Sequence, residues 1–224
     1  MDRHGGTNVI ELSGVRIRFG EVAVLRGVSL AVAKGEVHAL LGRTGAGKTT
    51  LLEVAAGLRR PALGTARLNN ADPYLDQDAV RRGVVWREGG LFPGLTVAEV
   101  VDTWRRWTLD PVDPGEVLEL TGLTTLADEP FERLDDERRR RLDLALALVG
   151  RADVLLLDEP MAGLAPQAAD RIWQVLRTLS SHGVTILMST PNANDACRAD
   201  RFAILDQGHL VTNGNQALAS RYVA

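Results

Sequence analysis

A single nine-residue segment, GRTGAGKTT at residues 42–50, narrows the possible folds of this chain more than any other. It matches the pattern G-x-x-x-x-G-K-[ST], follows a short apolar run at 37–42 and precedes a helix-favouring stretch at 49–58. Its glycines let the backbone wrap around phosphate oxygens with its N–H groups inward, and the helix amino terminus adds its positive dipole end. An incidental lysine in a glycine-rich turn is the weaker interpretation, because only Lys34 and Lys48 are lysines among 26 basic residues.

The residues of this segment have expected parts in holding a triphosphate. Lys48 supplies a positive charge for the β- and γ-phosphates, and the hydroxyl of Thr49 can bind magnesium. The predicted nucleotide-binding residues of the loop are Gly42, Arg43, Thr44, Gly45, Ala46, Gly47, Lys48, Thr49 and Thr50.

An acidic pair follows a second apolar run, VLLLDEP at residues 154–160. The apolar residues predict a buried strand whose end delivers Asp158 to the magnesium shell, with Glu159 beside it. Glu159 is the candidate catalytic base that accepts a proton from the attacking water. Two adjacent carboxylates can also be an ordinary polar strand end, but the phosphate-binding loop favours a metal and water site.

The other hydrophobic patterns place this loop in an α/β protein. Short apolar runs that alternate with helices are typical of parallel strands covered on both faces. We expect an ATP-binding α/β core over residues 1–86 and 151–224, with a mostly parallel sheet flanked by helices and an antiparallel amino-terminal part. An inserted helical subdomain is expected over residues 87–150, where one helix face carries Val97, Val100, Val101 and Trp104 as predicted core. The sequence predicts strands at 9–19, 22–33, 65–69, 83–86, 184–190 and 201–208, and helices at 96–107, 115–123, 135–150 and 167–183.

Composition excludes several classes of protein. The single cysteine, Cys197, excludes a disulfide framework and indicates a reducing compartment. No apolar run approaches the ~18 residues of a membrane span, and the start MDRHGGTN lacks the apolar stretch of a signal peptide. The net charge of −3, from 26 basic and 29 acidic residues, gives no electrostatic footprint for a nucleic acid.

Over nearly its whole length the chain resembles the ATP-binding subunits of ABC transporters. The similar segments, in the same order and spacing, are GVSLAVAKGEVHALLGRTGAGKTTLLEVAAGL, EGGLFPGLTVAEVV, RRRLDLALALVGRADVLLLDEPMAGLAPQA and RFAILDQGHLVTNG. Residues 83–101 and 138–168 are most similar to the drug and lipid exporter branch that includes daunorubicin-resistance-type ATPases.

The resemblance implies ATP and Mg²⁺ as cofactors, ATP hydrolysis coupled to transport, and a transmembrane permease subunit as partner. It also implies a cytoplasmic protein, peripheral on the inner face of the cell membrane. In this family two subunits stack head to tail, and each ATP lies between one phosphate loop and the other chain's signature sequence. Phe19 lies where the family stacks an aromatic ring on adenine, although a lone strand phenylalanine is usually core. Leu91 and Phe92 lie where the family has its groove for the permease.

Four positions or segments depart from the family pattern. Arg87 replaces a glutamine, Ala165 replaces an aspartate, and Pro191 replaces the switch histidine. The signature Leu-Ser-Gly-Gly-Gln reads Leu134, Asp135, Asp136, Glu137 and Arg138. Proline has no side-chain donor for a γ-phosphate, and losing such a donor typically costs ~10²–10³ in rate. The four histidines, for which we expect structural or surface roles, are His4, His38, His182 and His209.

The changed signature and Arg87 have competing interpretations. Asp135, Asp136 and Glu137 place up to three carboxylates toward a partner's γ-phosphate, and like charges ~4 Å apart repel by ~4 kcal/mol at an effective dielectric of ~20. The same acids make a good helix start, with Asp135 as cap and (i, i+4) pairs to the arginines at 139, 140 and 141, so a plain solvated helix start also fits. Arg87 could repel the metal, which we favour, or lie on the γ-phosphate as an arginine finger from the same chain.

These departures indicate the degenerate member of an asymmetric pair that drives a membrane exporter. The expected partner is a second ATP-binding subunit with an intact signature, and hydrolysis is expected to be weak or partner-dependent. The alternative is a catalytically silent nucleotide-binding subunit with a structural or regulatory role, which the changes at Arg87 and Pro191 keep open. A chromosome-maintenance ATPase is excluded because the sequence lacks a long coiled-coil insertion between the two nucleotide motifs.

Overall fold

The computed structural model describes residues 7–77 and 81–214, which form two β-sheets and six α-helices. The strands are β1 (Asn8–Phe19), β2 (Val22–Ala33), β3 (Val37–Leu41), β4 (Leu63–Leu68), β5 (Arg82–Val85), β6 (Val154–Leu157), β7 (Thr185–Thr190), β8 (Arg201–Asp206) and β9 (His209–Gly214). The helices are α1 (Lys48–Ala55), α2 (Val97–Trp107), α3 (Pro114–Leu120), α4 (Asp136–Leu148), α5 (Pro166–Ser181) and α6 (Ala193–Arg198). Within the described ranges, none of these helices combines the length and apolarity that crossing a membrane requires.

The larger sheet has the strand order β5-β6-β7-β3-β8-β9, and all of its pairs are parallel except β8 with β9. The smaller sheet is antiparallel, with the order β2-β1-β4. Every residue of β3, β6 and β7 is buried, as expected for parallel strands covered on both faces. These two sheets agree with the predicted α/β class and its antiparallel amino-terminal part.

Strand β9 was missed by the sequence analysis. It pairs with β8 through a two-residue turn at Gln207 and Gly208, whose φ angles are 45° and 78°. Positive φ at both central residues is the geometry that joins two antiparallel strands tightly. The glycine was therefore a usable signal for a hairpin at this point.

Alternate residues of the central strands serve two separate cores. In β6, Leu155 and Leu157 pack into the core beneath α5 and the helices between β5 and β6, while Val154 and Leu156 pack into the core shared with α1 and the antiparallel sheet. This alternation is the period-two geometry of a strand. Because both faces of the sheet are packed, the loops at its carboxyl edge are anchored on a rigid base.

Helix α2 corrects one prediction about the helical segment between β5 and β6. It begins with a capping box formed by Thr96 and Glu99, and the three predicted valines of its inner face are buried. Trp104, however, is 37% exposed and packs edge-on against Phe92, with ring centroids 6.0 Å apart. The prediction that Trp104 is core was wrong, because its turn of the helix lies at the margin of the core and meets only a partly buried aromatic cluster.

Candidate functional site

The predicted phosphate loop lies at the carboxyl edge of the parallel sheet, between Leu41 at the end of β3 and Lys48 at the start of α1. Gly45 and Gly47 have φ angles of 82° and 104°, which glycine adopts without a steric penalty. Gly47 is also the N-cap residue of α1, and no side chain caps the first N–H groups of this helix. A Cβ atom at Gly47 would lie 3.1 Å from the carbonyl oxygen of Val24, so the close approach of β2 also requires glycine. The loop therefore presents backbone N–H groups in the way that favours an anion.

Lys48 is buried and is held by oxygen atoms on three sides. Its Nζ donates to the carbonyl oxygens of Gly42 at 2.8 Å and Arg43 at 3.2 Å. The same Nζ lies 3.3 Å from Oε1 of Glu159. A buried ammonium group needs such partners because its desolvation is costly. The geometry fixes one positive charge at the base of the loop.

The carboxylate of Asp158, directly after β6, is oriented by two hydroxyl groups. Thr49 Oγ1 donates to Oδ2 at 2.8 Å, and Ser189 Oγ donates to Oδ1 at 2.5 Å. Ser189 Oγ also accepts the backbone N–H of Glu159 at 3.0 Å, so one hydroxyl on β7 positions both acidic residues. The sequence analysis missed Ser189, although its place at the end of a strand beside β6 was a signal for it.

The oxygen donors of Thr49 and Asp158 fit a magnesium ion. Mg²⁺ is usually held by one or two protein oxygens together with substrate phosphates and water. Across residues 7–77 and 81–214 there is no group of three or more His, Cys, Asp or Glu side chains arranged to hold a metal. A hydroxyl and a carboxylate in contact therefore suit a metal that arrives with a nucleotide.

Glu159 and Arg87 meet in the same cleft. Glu159 has a φ of 49°, a left-handed conformation that costs a residue with a side chain roughly 1–2 kcal/mol. Its Oε2 lies 3.7 Å from NH1 of Arg87, while its Oε1 faces Lys48. One carboxylate is thus placed between two positive charges, a contact that the sequence did not predict.

These side chains surround a cleft of about 310 Å³, called the nucleotide cleft below. Of the predicted binding residues, Gly42, Arg43 and Ala46 lie outside its lining; the first two supply the carbonyl oxygens that hold Lys48, and Ala46 is buried beneath the loop. Phe19 is half-exposed at the rim, and the guanidinium carbon of Arg59 lies 4.6 Å from the centre of its ring. The lining residues are Phe19, Val24, Thr44, Gly45, Gly47, Lys48, Thr49, Thr50, Arg87, Asp158 and Glu159.

The acidic segment at the start of α4 has two outward carboxylates instead of the predicted three. Asp135 is the N-cap residue and accepts the backbone N–H of Arg138 at 2.9 Å, as expected, and Asp136 is exposed. Glu137 is only 4% exposed; Arg141 faces its Oε1, and Nε of Arg171 donates to its Oε2 at 2.5 Å. The prediction that Glu137 points toward a partner's phosphate was wrong, because this position of α4 packs toward α5.

Only one of the three predicted ion pairs along α4 forms. Glu137 pairs with Arg141, as expected. Arg139 instead lies 4.9 Å from the ring centre of Phe131, and Arg140 donates to the carbonyl oxygens of Trp86 and Arg87. Tertiary partners replace the local (i, i+4) partners at these two positions.

The remaining changed positions and the histidines lie outside the nucleotide cleft. Ala165 is the N-cap residue of α5 and offers no side-chain cap, and Pro191 is exposed directly after β7. His38 is buried with its Nδ1 2.7 Å from Glu36; burial alone would raise the pKa of Glu36, but the hydrogen bond and charge of His38 hold that pKa below its usual range. The other histidines are His182 and His209, both exposed, and His4, which lies outside the described residues.

A second cavity, of about 390 Å³, runs between β5, α2 and α4 and is called the aromatic groove below. Its lining includes Trp86, Phe92, Trp104 and Asp143, and the exposed side chain of Leu91 lies next to it. Burial raises the pKa of Asp143 to about 6, although Arg140 and the backbone N–H of Gly90 act in the opposite direction. The groove combines exposed apolar surface with one partly buried carboxyl group.

A glycine-rich loop joins a parallel strand to a helix here, and a hydroxyl from that helix bonds a carboxylate from a strand two places away in the sheet. This arrangement defines the P-loop class of proteins that bind nucleoside triphosphates. Within that class, residues 25–162 match the family described as "ABC transporter". The chain therefore belongs to the ABC transporter family and is an ATPase domain of that family.

Sequence relatives agree with this assignment. The Nod factor export ATP-binding protein I of Ralstonia nicotianae is 36% identical over 219 residues, which cover 94% of this chain and 68% of that protein. The daunorubicin/doxorubicin resistance ATP-binding protein DrrA of Streptomyces peucetius is 33% identical over 216 residues, which cover 93% and 66% respectively. The chain thus spans about two thirds of the length of these relatives.

Solved structures show the same fold. A nucleotide-free ATP-binding cassette from an ABC transporter superposes with a TM-score of 0.80 at 22% identity, covering 97% of this chain and 95% of that one. A dimeric bacterial ABC transporter cassette superposes with a TM-score of 0.77 at 24% identity, covering 92% and 98%.

Proposed function

We propose that this chain is the ATP-binding subunit of a membrane exporter and binds Mg-ATP in the nucleotide cleft. The observation that carries the proposal is the convergence of Lys48, Thr49, Asp158 and Glu159 on one cleft through contacts of 2.8–3.3 Å. The names of the relatives, which concern Nod factor export and daunorubicin resistance, support the exporter class.

The residues that converge on the cleft have separate roles in this proposal. The N–H groups of residues 42–50 and the Nζ of Lys48 hold the phosphates, and Thr49 with Asp158 would hold magnesium. Glu159 accepts the proton of the attacking water. Ser189 orients both acidic residues, and Phe19 offers adenine the ring face opposite Arg59.

The permease would dock at the aromatic groove. We propose that residues 87–150 form an inserted helical subdomain and that residues 1–86 and 151–224 form the ATP-binding core, so the groove lies where the two meet. Exposed Leu91 and half-exposed Trp104 supply the apolar surface that a permease segment would cover. In this arrangement the subunit lies on the cytoplasmic face of the cell membrane as a peripheral protein.

The start of α4 favours an asymmetric pair over a homodimer. A bare helix amino terminus attracts phosphate. Here the side chain of Asp135 already accepts the backbone N–H of Arg138, and Asp136 adds a second exposed carboxylate. Each carboxylate ~4 Å from a phosphate charge would oppose binding by ~4 kcal/mol at an effective dielectric of ~20. A second ATP-binding subunit with an intact signature would remove this repulsion from the ATP held in the present cleft.

The same features lead to weak or partner-dependent hydrolysis. Pro191 offers no side-chain donor at the position after β7, so one contact to the reacting phosphate is missing from this chain. A catalytically silent nucleotide-binding subunit is the second candidate, and the placement of Glu159 between Lys48 and Arg87 favours it, because a carboxylate held by two cations is less free to orient an attacking water.

Nucleotide binding is tested with the only two lysines of the chain. Lys48→Ala is expected to abolish binding of Mg-ATP in calorimetry, while Lys34→Ala, at an exposed position away from the cleft, leaves it unchanged. Equal affinities for the two variants would contradict the proposed site.

Turnover separates the two candidate functions. We expect no phosphate release from the chain alone and measurable release when a second ATP-binding subunit with an intact signature is added. Glu159→Gln should then abolish the contribution of this subunit. Robust turnover by the pure chain would refute the asymmetric pair, and partnered turnover that is indifferent to Glu159→Gln would favour the silent subunit.

A further inference from the structure

Arg87 is a charged residue of the nucleotide cleft to which the ordinary roles of a P-loop site assign no function. Its guanidinium reaches into the cleft from the loop after β5, and its NH1 lies 3.7 Å from Oε2 of Glu159. The side chain is 61% exposed, so burial does not force it there. The guanidinium is therefore placed to bind a negatively charged group in the cleft.

The backbone of Arg87 is fixed by a partly buried arginine on α4. Arg140 donates from NH1 to the carbonyl oxygen of Trp86 and from NH2 to that of Arg87, both at 2.8 Å. A guanidinium group that makes two hydrogen bonds in one plane is a rigid clamp. The Arg87 side chain therefore extends toward the cleft from an anchored position.

Two cations share one carboxylate in this arrangement. Oε1 of Glu159 faces Lys48, and Oε2 faces Arg87. Among the described residues Arg87 forms its ion pair with Glu159 and not with Asp158, whose two oxygens accept hydrogen bonds from Thr49 and Ser189. Lysine in a P-loop reaches the β- and γ-phosphates, so a triphosphate brings further negative charge to the neighbourhood of these two cations.

We propose that Arg87 is a ligand of the terminal phosphate of ATP bound in its own subunit, and that it leaves Glu159 for this phosphate when ATP binds. The proposal rests on the nucleotide cleft proposed above. A planar guanidinium suits phosphate oxygens, and the exchange releases the Glu159 carboxylate from one of its two cations. It predicts that Arg87 discriminates between ATP and ADP, which lacks the terminal phosphate.

The test compares two nucleotides by calorimetry, ADP and the nonhydrolysable triphosphate AMP-PNP, each with Mg²⁺. Arg87→Gln should weaken AMP-PNP binding about tenfold, which is ~1.4 kcal/mol, and leave ADP binding within about twofold. Arg87→Lys should fall between, because it keeps the charge and loses the fork. The matched control is Arg133→Gln, since Arg133 is also exposed and also lies 3.7 Å from a single carboxylate, that of Glu129.

The outcomes are separable. Equal weakening of both nucleotides by Arg87→Gln, or tighter AMP-PNP binding, would overturn the proposal, and the latter would favour repulsion of the metal. Repeating the titration in EDTA distinguishes a direct phosphate contact from an effect through the metal. The effect of Arg87→Gln persists without Mg²⁺ in the first case and disappears in the second. If the unaltered chain bound neither nucleotide, the nucleotide cleft itself would be wrong; if it bound both and Arg87→Gln left their ratio unchanged, only the role of Arg87 would fail.

Discussion

Restoring glycine to the start of α4 should be tolerated at Asp136 and strongly destabilising at Glu137. Both positions differ from the family signature in the same way, but their surroundings differ. Asp136 is exposed, whereas Glu137 is 4% exposed and faces Arg141 and Arg171. The comparison between Asp136→Gly and Glu137→Gly therefore isolates the tertiary role of one carboxylate.

The magnitudes follow from this difference in burial. Glycine in a helix costs about 1 kcal/mol, and both variants share this penalty. Removing Glu137 also leaves Arg141, whose side chain is 15% exposed, without its carboxylate partner and with the carbonyl oxygen of Gly122 as its remaining acceptor. Breaking a buried pair by removing one partner costs about 3–5 kcal/mol, and the low end applies because Arg171 is 49% exposed and can turn to water. We expect about 1 kcal/mol for Asp136→Gly and about 4 kcal/mol for Glu137→Gly.

Urea denaturation followed by circular dichroism measures the difference. At a slope of about 3 kcal/mol per M, the midpoint of Glu137→Gly should lie about 1 M below that of Asp136→Gly. Glu137→Gln is the matched control and should lie between the two, because the amide oxygen can still accept from Arg171. Midpoints of the two glycine variants that agree within about 0.2 M would refute the assignment of Glu137 to a buried ion-pair cluster.

Two further predictions test the nucleotide cleft and its supports, and a third tests a carboxyl group of the aromatic groove. Ser189→Ala should lower the affinity for Mg-ATP about fivefold and leave the affinity measured in EDTA unchanged, because Ser189 orients Asp158; an equal loss in EDTA would contradict that role. Arg140→Lys should reduce the preference for AMP-PNP over ADP in the direction of Arg87→Gln, by about threefold, and an unchanged ratio would show that the clamp does not position Arg87. Burial raises the pKa of Asp143 to about 6 in the folded chain, against ~4 when unfolded, so this group binds more protons in the folded state and its contribution to the free energy of unfolding falls as pH rises from 4 to 6. Asp143→Asn should remove about 2 kcal/mol of the fall in the free energy of unfolding between pH 4 and pH 7.5, measured by urea denaturation, and equal falls in both proteins would contradict the raised pKa.

Local patterns were sufficient for most of the fold. The apolar runs predicted eight of the nine strands within about two residues. The predicted helix at 49–58 was too long at its carboxyl end, because α1 ends at Ala55 and Gly57, with a φ of 71°, lies beyond it. The loop at 42–50 could be predicted because its conformation depends on its own glycines. Strand β9 was missed because, of the two turn residues before it, only Gly208 carries a turn signal, while Gln207 carries no strong one.

The direction and partner of individual side chains depended on the tertiary structure. Glu137 resembled its two acidic neighbours in the sequence, but helix α5 brings Arg171 to it and turns it inward. Arg87 resembled a defect, but the packing of α4 against β5 places it opposite Glu159.

The order of residues along the chain thus determined the elements, the phosphate loop and the acidic pair, since each arises from short-range sterics and hydrophobic periodicity. Only the packed molecule decided which charges face each other, because those contacts join residues that are far apart in the chain and adjacent only after the sheet and helices assemble. In this protein the sequence therefore predicted the phosphate loop, whereas the contact between Arg87 and Glu159 in the same cleft became visible only in the tertiary structure.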